Sequence, residues 1–268
     1  QKGIMAYGYN GSNLSMSNLI NSSGVVATDV SGVGTARREI AAAGYGTDKA
    51  LFGYGTTGSL VSLTNLVNNS GVVAADVSGV GTARRNLAAT RYGLDKAIFG
   101  YGYTTGIVSM SNLVSNVGVV GADVTGVGQA RAGLAAASYG STGQAIFGYG
   151  EGGGMNNLTN LVSNVGVVGA DVTGVGQARI GLAAAEYGVG LAIFAYGSNG
   201  GSTYYSMSNL VSNVGVVATD VSGVGTARQT LGGVTYGGDK AIFAFGVNAG
   251  YVSMSNLVNN SGVVASDV

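Results

Sequence analysis

The sequence predicts an all-β protein built from one supersecondary unit that is repeated along the chain. Glycine accounts for 50 of the 268 residues, and it separates apolar segments too short to be typical helices. A repeated aspartate, usually followed by Val-(Ser/Thr)-Gly, recurs at intervals of 47, 47, 48, 49 and 47 residues: Asp29, Asp76, Asp123, Asp171, Asp220 and Asp267. Stacking of the repeated units must therefore supply the hydrophobic core.

Each unit divides into four short extended segments, which we call a, b, c and d. Segment a has the pattern Arg-x-x-(Leu/Ile)-Ala-Ala-x-x-Tyr-Gly, as in residues 84–93, and a tight turn leads to the β-rich segment b, residues 97–102. A loop of variable length, the b-c loop, precedes segment c at residues 108–114, in which polar and apolar residues roughly alternate. Segment d, residues 118–124, leads through a Gly-rich loop to the next copy of a.

A repeat of about 47 residues with four strands is typical of a β-propeller blade. We therefore predict one six-bladed β-propeller domain over residues 1–268, with small Ala and Gly side chains in the crowded innermost strand a. Other β-rich repeat rings or solenoids remain alternatives, as does a pattern in which segments a and c are short helices. The approximate repeats are 1–30, 31–77, 78–124, 125–172, 173–221 and 222–268.

The chain holds six copies of b, c and d but five of a, because it begins at segment b of the first repeat. The innermost strand of the first blade is therefore missing. An open strand edge exposes unpaired backbone groups. We expect further chain, or a neighbouring subunit, to supply that strand beside residues 4–7.

The repeat resembles the kelch type of β-propeller. The resemblance covers the whole chain and depends on an Arg that opens segment a, a Tyr-Gly before the a-b turn, and an aliphatic-aromatic segment b that ends in Gly-Tyr-Gly. Kelch blades usually carry a Gly-Gly doublet and a Trp, which this sequence lacks. The strings GVVAxDVxGVGxAR and YGxDKAIFGYG are similar to repeat proteins of marine bacteriophage tails or fibres, which implies a virion or extracellular location.

Composition excludes several kinds of chemistry. The chain has no His, Cys, Trp or Pro, and its twelve basic and twelve acidic residues balance. Zinc or copper sites built on His or Cys and all thiol chemistry are therefore excluded, and no cofactor is expected. The absence of a basic cluster argues against nucleic-acid or anionic-membrane partners.

The recurrent Asp and Arg residues are candidate structural braces rather than catalytic groups. A charge repeated in every unit is more often part of a framework, and here each Arg follows an Asp across the d-a loop. We expect charge-assisted hydrogen bonds within or between blades. The expected pairs are Asp29/Arg37, Asp76/Arg84, Asp123/Arg131, Asp171/Arg179 and Asp220/Arg228.

The b-c loops differ between repeats in length and composition, whereas segments a, b, c and d keep nearly the same pattern. Such variation is typical of a recognition surface on a scaffold, and Tyr, Asn, Ser and Gly are common in adaptable binding loops. Drift of loop tips is the alternative explanation. The candidate ligand-contact residues are Tyr9, Asn10, Tyr103, Glu151, Tyr204, Tyr205, Asn248 and Tyr251.

These observations predict a non-enzymatic structural and binding scaffold. Its partners would be a glycan or protein on a host surface, or neighbouring virion subunits, and the chain could form homo-oligomers. One alternative is a multivalent lectin with equivalent pockets between blades. A propeller glycosidase would need two facing carboxylates, and the irregular acids are Glu39, Glu151 and Glu186.

Overall fold

A computed structural model describes residues 2–268 of the chain. The predicted all-β class is confirmed: these residues form 17 strands in six antiparallel sheets. They contain no helix, so the helical alternative for segments a and c was wrong.

The sheets follow one another along the chain. The first sheet has two strands, β1 (Gly3–Tyr9) and β2 (Asn13–Ile20). Each of the other five has three strands, in the order a, b, c. The second to fourth sheets contain β3 (Ala41–Tyr45), β4 (Lys49–Gly53) and β5 (Thr64–Val67); β6 (Ala88–Tyr92), β7 (Lys96–Tyr103) and β8 (Ile107–Val114); and β9 (Ala135–Tyr139), β10 (Gln144–Gly148) and β11 (Thr159–Val162). The fifth and sixth contain β12 (Ala183–Tyr187), β13 (Leu191–Ala195) and β14 (Ser208–Val211), and β15 (Gly232–Tyr236), β16 (Lys240–Ala244) and β17 (Ser255–Val258).

Segment b forms the central strand of each three-stranded sheet. In the third sheet, Phe99 on β7 lies opposite Ala89 on β6 and Asn112 on β8. The pairing register shifts between Gly100 and Gly102, where the intervening Tyr101 has a φ of 64°. This left-handed residue redirects the chain and turns its aromatic ring toward the next sheet.

Segment d does not form the predicted fourth strand. In the third repeat it meets segment c only through two single β-bridges, Val114 to Val120 and Ser111 to Val124. The side chain of Asn112 donates to the carbonyl of Gly121 at 3.0 Å, between the two bridges. A side chain therefore takes a backbone acceptor that a regular ladder would use, and the pairing is interrupted.

Aromatic residues join each sheet to the next. The tyrosine of the (Gly/Ala)-Tyr-Gly string packs edge-on against the phenylalanine of the following segment b, as Tyr101 does on Phe147 with ring centroids 5.2 Å apart. We call these residues the b-strand tyrosines: Tyr7, Tyr54, Tyr101, Tyr149 and Tyr196. Their burial between sheets supplies much of the core, since aromatic pairs contribute beyond their buried area.

A second tyrosine, at the end of each segment a, lies on a glycine of the neighbouring sheet. A Cβ atom on Gly118 would lie 2.9 Å from the ring of Tyr45, so only glycine fits there. We call these buried residues the a-strand tyrosines: Tyr45, Tyr92, Tyr139, Tyr187 and Tyr236. The last of them, in the sixth sheet, lies on Gly24 of the first repeat, 2.8 Å from its Cβ position.

The first and sixth sheets therefore pack directly against each other. Ile20 in the first sheet is fully buried in a cluster with Tyr236 and Ile242 of the sixth sheet, and Met5 and Val234 pack against it. Strands β3, β6, β9, β12 and β15 lie beside one another in that order, and β15 also contacts β1.

Candidate functional site

The recurrent arginines are the centre of the best-defined polar clusters in the structure. Arg84 is fully buried, and its Nε donates to the carbonyl of Tyr101 at 2.9 Å. One terminal nitrogen donates to the carbonyl of Thr82 at 3.2 Å and the other to Oδ1 of Asn112 at 2.7 Å. Its guanidinium also lies 4.3 Å from the ring centroid of Tyr54 in the preceding sheet, an arrangement that favours a cation. The arginine thus ties two sheets together.

The predicted aspartate partner of each arginine was wrong. Arg84 lies 3.9 Å from Asp123, which ends its own repeat, rather than from Asp76 across the d-a loop. The observed ion pairs are Arg37–Asp76, Arg84–Asp123, Arg179–Asp220 and Arg228–Asp267. They replace the predicted pairs Asp29/Arg37, Asp76/Arg84, Asp123/Arg131, Asp171/Arg179 and Asp220/Arg228.

The reason is that segment d returns beside segment a of the same repeat. Asp123 accepts hydrogen bonds from the backbone N–H and the hydroxyl of Thr82, at 3.0 and 2.6 Å. It thereby fixes the Gly-rich loop that leads into Arg84. The ion pair itself is longer than a hydrogen bond, so Asn112 provides the direct link, donating to Asp123 at 2.9 Å.

Arg131 departs from this pattern. It donates to the carbonyl of Tyr149 at 3.0 Å, to that of Leu158 at 2.6 Å, and to the side chain of Asn160. Its Nε is buried without a hydrogen-bond partner, whereas in the other four arginines Nε donates to the following b-strand carbonyl.

The surroundings of the cluster favour the ionised form of its aspartate. Burial opposes ionisation of Asp76, but hydrogen bonds from Thr35 and Asn65 and the charge of Arg37 outweigh it, and the pKa of this carboxyl lies below its usual value. Burial lowers the pKa of the Arg84 guanidinium, while the neighbouring Tyr54 and Asp123 oppose that shift.

The asparagine of segment c and the b-strand tyrosine were missed as members of the cluster. The asparagines are fully buried in five sheets: Asn65, Asn112, Asn160, Asn209 and Asn256. The available signal was the (Ser/Thr)-Asn-Leu string, present in all six copies of segment c. A polar amide repeated in every unit beside apolar residues indicates a buried hydrogen-bonding role.

The b-c loop candidates fall into two groups. Tyr9 and Tyr251 come together: their ring centroids lie 6.2 Å apart, although the residues belong to the first and sixth sheets. Asn10 follows Tyr9 and is exposed. The remaining candidates are half-buried: Tyr103, Glu151, Tyr204 and Tyr205 belong to the third, fourth and fifth repeats, and Asn248 lies on the same loop as Tyr251.

The Tyr9–Tyr251 pair differs from every other tyrosine in the chain. Tyr9 is 40% and Tyr251 56% exposed, whereas the rings of the other tyrosines are buried or half-buried. The guanidinium of Arg38 lies 4.5 Å from the ring centroid of Tyr9. Two aromatic faces and a cation therefore meet at the surface where the chain's first and sixth sheets adjoin.

Two cavities lie along the segment-a strands. One, of ≈ 930 Å³, is lined by Tyr9, Asn10, Tyr251, Arg38 and Glu39, together with residues that begin the a strands. The other, of ≈ 550 Å³, is lined by one small residue from each a strand: Ala42, Ala89, Ala136, Ala184 and Gly233. The larger cavity thus opens beside the exposed tyrosine pair.

Charges that do not recur between repeats line these cavities. Glu39, in the larger cavity, lies 3.1 Å from Arg85. Glu186, in the smaller one, lies 3.5 Å from Arg91 and accepts a hydrogen bond from Ser138 at 2.7 Å. Each carboxylate is paired with a cation.

No model of a known protein family matches the chain, and no curated protein does either. Residues 2–268 contain no cluster of three or more Asp and Glu side chains that could hold a metal ion. No helix of sufficient length and apolarity to cross a membrane occurs in the described part of the chain.

Proposed function

We propose that the six sheets are the blades of a six-bladed β-propeller. The support is that one interface recurs around the chain and includes its two ends. The contact of an a-strand tyrosine with a glycine joins each sheet from the second to the sixth to its successor, and the last of these contacts, Tyr236 with Gly24, joins the sixth sheet to the first with nearly the same spacing. A ring of like interfaces would need no capping repeat, because each sheet buries both faces.

On this framework the protein acts as a non-enzymatic binding and structural scaffold. The observation that carries the proposal is the Tyr9–Tyr251 pair, which is exposed beside a cavity of ≈ 930 Å³. Tyrosine offers a large, rigid contact surface with a polar end at low entropic cost. An exposed aromatic pair at the rim of a cavity is typical of a binding site.

The ligand is a glycan or a protein surface. A sugar ring has an apolar face that packs on an aromatic ring, and its hydroxyl groups match Asn10 and Arg38 at the same rim. The resemblance to bacteriophage tail or fibre repeats favours a virion or extracellular setting, where host-surface glycans and neighbouring virion subunits are the available partners.

One aromatic site is favoured over a lectin with six equivalent pockets. Tyr103 occupies the position of Tyr9 in the third sheet and also lies beside an arginine, Arg85, but it is half-buried and pairs with no second tyrosine within residues 2–268. The other four sheets have Thr56, Glu151, Ser198 and Val247 at this position. A glycosidase is less favoured, since Glu39 and Glu186 line different cavities and each is paired with arginine.

A glycan array followed by calorimetry tests this function. We expect a ligand that binds with a stoichiometry of one, and we expect Tyr251→Ala to weaken it by about tenfold or more, as loss of an aromatic anchor does. Tyr103→Ala is the matched control and should leave affinity unchanged. Six equivalent sites would favour the lectin, and binding that is indifferent to Tyr251→Ala would contradict the proposed site.

A further inference from the structure

The first sheet has a vacant strand position. In the other five sheets segment b pairs with segment a on one side and segment c on the other, but β1 pairs only with β2. Ile98 and Phe99 of β7 are fully buried, whereas the corresponding Ile4 and Met5 of β1 are half-buried. The edge of β1 that would face segment a is therefore open to a further strand.

The arginine-binding groups of the first sheet are in place without an arginine. Asn18 donates to Asp29 at 2.8 Å and to the carbonyl of Ala27 at 3.0 Å, the same bonds that Asn112 makes in the third sheet. Among residues 2–268, however, no arginine donates to Asn18, and no Thr or Gln bonds to Asp29. Both side chains line the ≈ 930 Å³ cavity.

The aromatic side of the arginine site is also present. Phe245 takes the position that Tyr196 holds one sheet earlier, with the same φ of 64°. Tyr196 stacks on Arg228 at 4.2 Å, and the adjacent Gly197 N–H donates to the Arg228 carbonyl at 2.9 Å. Phe245 and Gly246 line the same cavity as Asp29, so an arginine placed there would meet an aromatic face, an acid and a free backbone donor.

The far end of the vacant position lacks its tyrosine. Gly24, Gly118, Gly166, Gly215 and Gly262 each lie under an a-strand tyrosine, but Gly71 meets only the side chain of Leu19. Gly71 lines the ≈ 550 Å³ cavity together with Ile4 and Leu19. The larger cavity thus includes the arginine end of the vacant position, and the smaller cavity includes its tyrosine end.

We propose that this vacant position is a docking site for an extended, arginine-bearing segment from outside residues 2–268 with the pattern Thr-x-Arg-x-x-Leu-Ala-Ala-x-x-Tyr-Gly. The docked strand adds to the edge of β1, its arginine binds Asn18 and Asp29 against Phe245, and its tyrosine covers Gly71. The five complete sheets provide the template for each of these contacts. The proposal goes beyond ligand binding by the b-c loops, because it assigns a strand-binding role to the first sheet.

The test uses a synthetic peptide with the sequence of residues 79–93, GVGTARRNLAATRYG, and the 268-residue protein. We expect saturable binding with a stoichiometry of one by calorimetry and a rise in the melting temperature of the protein. Replacing the first arginine of the peptide, at the position of Arg84, by alanine should weaken binding by about tenfold or more, since it removes the hydrogen bond to Asn18 and the contact with the Phe245 ring. The Asp29→Ala protein should lose affinity to a similar extent.

Asp95→Ala is the matched control, because this solvated carboxylate of the third sheet pairs only with Lys96 and Asn116 and should not alter peptide binding. Failure of the peptide to bind, or equal binding of the alanine peptide, would overturn the proposal. Concentration-dependent dimers that Asp29→Ala abolishes would overturn it in favour of a second copy as the strand donor. Glycan binding depends on Tyr251 and peptide binding on Asp29, so the two proposals fail independently.

Discussion

Arg84 and Asn112 link the start of segment a directly to segment c of the third sheet, with the arginine donating to the amide oxygen at 2.7 Å. Both side chains are fully buried. The amide passes the interaction on to Asp123, whose own carboxylate lies 3.9 Å from the arginine. A neutral relay of this kind lets a buried cation use a carboxylate that remains partly in water.

The relay predicts which residues are energetically coupled. Arg84→Ala should lower the free energy of unfolding by about 3 to 5 kcal/mol, because it removes a buried charge whose partners are then left unsatisfied. Asn112→Ala should cost much of the same energy. The double variant should therefore be clearly less destabilised than the sum of the single variants, as measured by urea denaturation.

The matched control is Asp76 with Arg84, the pair that sequence spacing suggested. Asp76 instead lies beside Arg37 at 3.7 Å. Losses from Asp76→Ala and Arg84→Ala should therefore add within experimental error. Coupling in this control pair, or additivity between Arg84 and Asn112, would refute the assigned network.

Buried b-strand tyrosines predict a loss of stability at high pH. Burial raises the pKa of Tyr149 and Tyr196 to about 12, against a usual value of 10.0. The folded state favours the neutral phenol. The stabilisation that results is complete below pH 10 and is lost as the pH rises toward about 12. It amounts to roughly 2 to 3 kcal/mol for each tyrosine.

Chemical denaturation at several pH values measures this effect. Tyr149→Phe should be less stable than the parent near pH 7, because Tyr149 donates to the carbonyl of Val175 at 3.1 Å. Its stability should nevertheless fall less steeply between pH 10 and 12. Tyr9→Phe, which alters an exposed ring, is the control. Equal alkaline slopes for Tyr149→Phe and the parent would contradict the prediction.

In the second, third and fourth sheets a glycine precedes the b-strand tyrosine and sets the spacing of the aromatic pair. A Cβ atom on Gly100 would lie 2.6 Å from the ring of Phe147. In the fifth sheet the position is alanine, Ala195, and there the rings of Tyr196 and Phe243 lie 5.7 Å apart, against 5.2 Å for Tyr101 and Phe147. The ring can therefore shift to accommodate a methyl group.

Gly100→Ala should accordingly destabilise the protein by only about 1 to 2 kcal/mol, in the range of mild overpacking. Combination with Phe147→Leu should remove most of the steric penalty, so the two effects should be strongly non-additive. Thermal denaturation of the single and double variants measures this. Complete unfolding by Gly100→Ala would mean that the sheets cannot adjust as the fifth sheet does.

The repeated pattern of the sequence predicted the all-β class and the positions of segments a, b and c, because alternating apolar residues and glycine turns define them locally. It did not predict the interruption of segment d, which depends on a hydrogen bond from Asn112 to Gly121. That contact joins segments c and d, and their order in the chain does not specify which residues pair with one another.

The predicted carboxylate partner of each arginine was wrong for a related reason. Asp76 and Arg84 are close in sequence, but the loop between them leads from one sheet to the next, and Asp123 lies near Arg84 because segment d packs beside the start of segment a of the same repeat. The pairing of Tyr9 with Tyr251 likewise depends on the first and sixth sheets meeting, which no local pattern specifies.

Contact between the first and sixth sheets is the central claim, and a distance measurement by pulsed electron paramagnetic resonance tests it most directly. The chain has no cysteine, so spin labels attach only at introduced positions. A Cβ atom on Gly237 would lie 3.0 Å from the carbonyl of Ser22, just as one on Gly46 lies 2.9 Å from that of Asn116. Labels at Ser22→Cys and Asp239→Cys should therefore give the same narrow distance distribution as the control pair Asn116→Cys and Asp48→Cys, which spans two successive sheets. A clearly longer or broad distribution for the first pair alone would contradict a closed ring of six sheets.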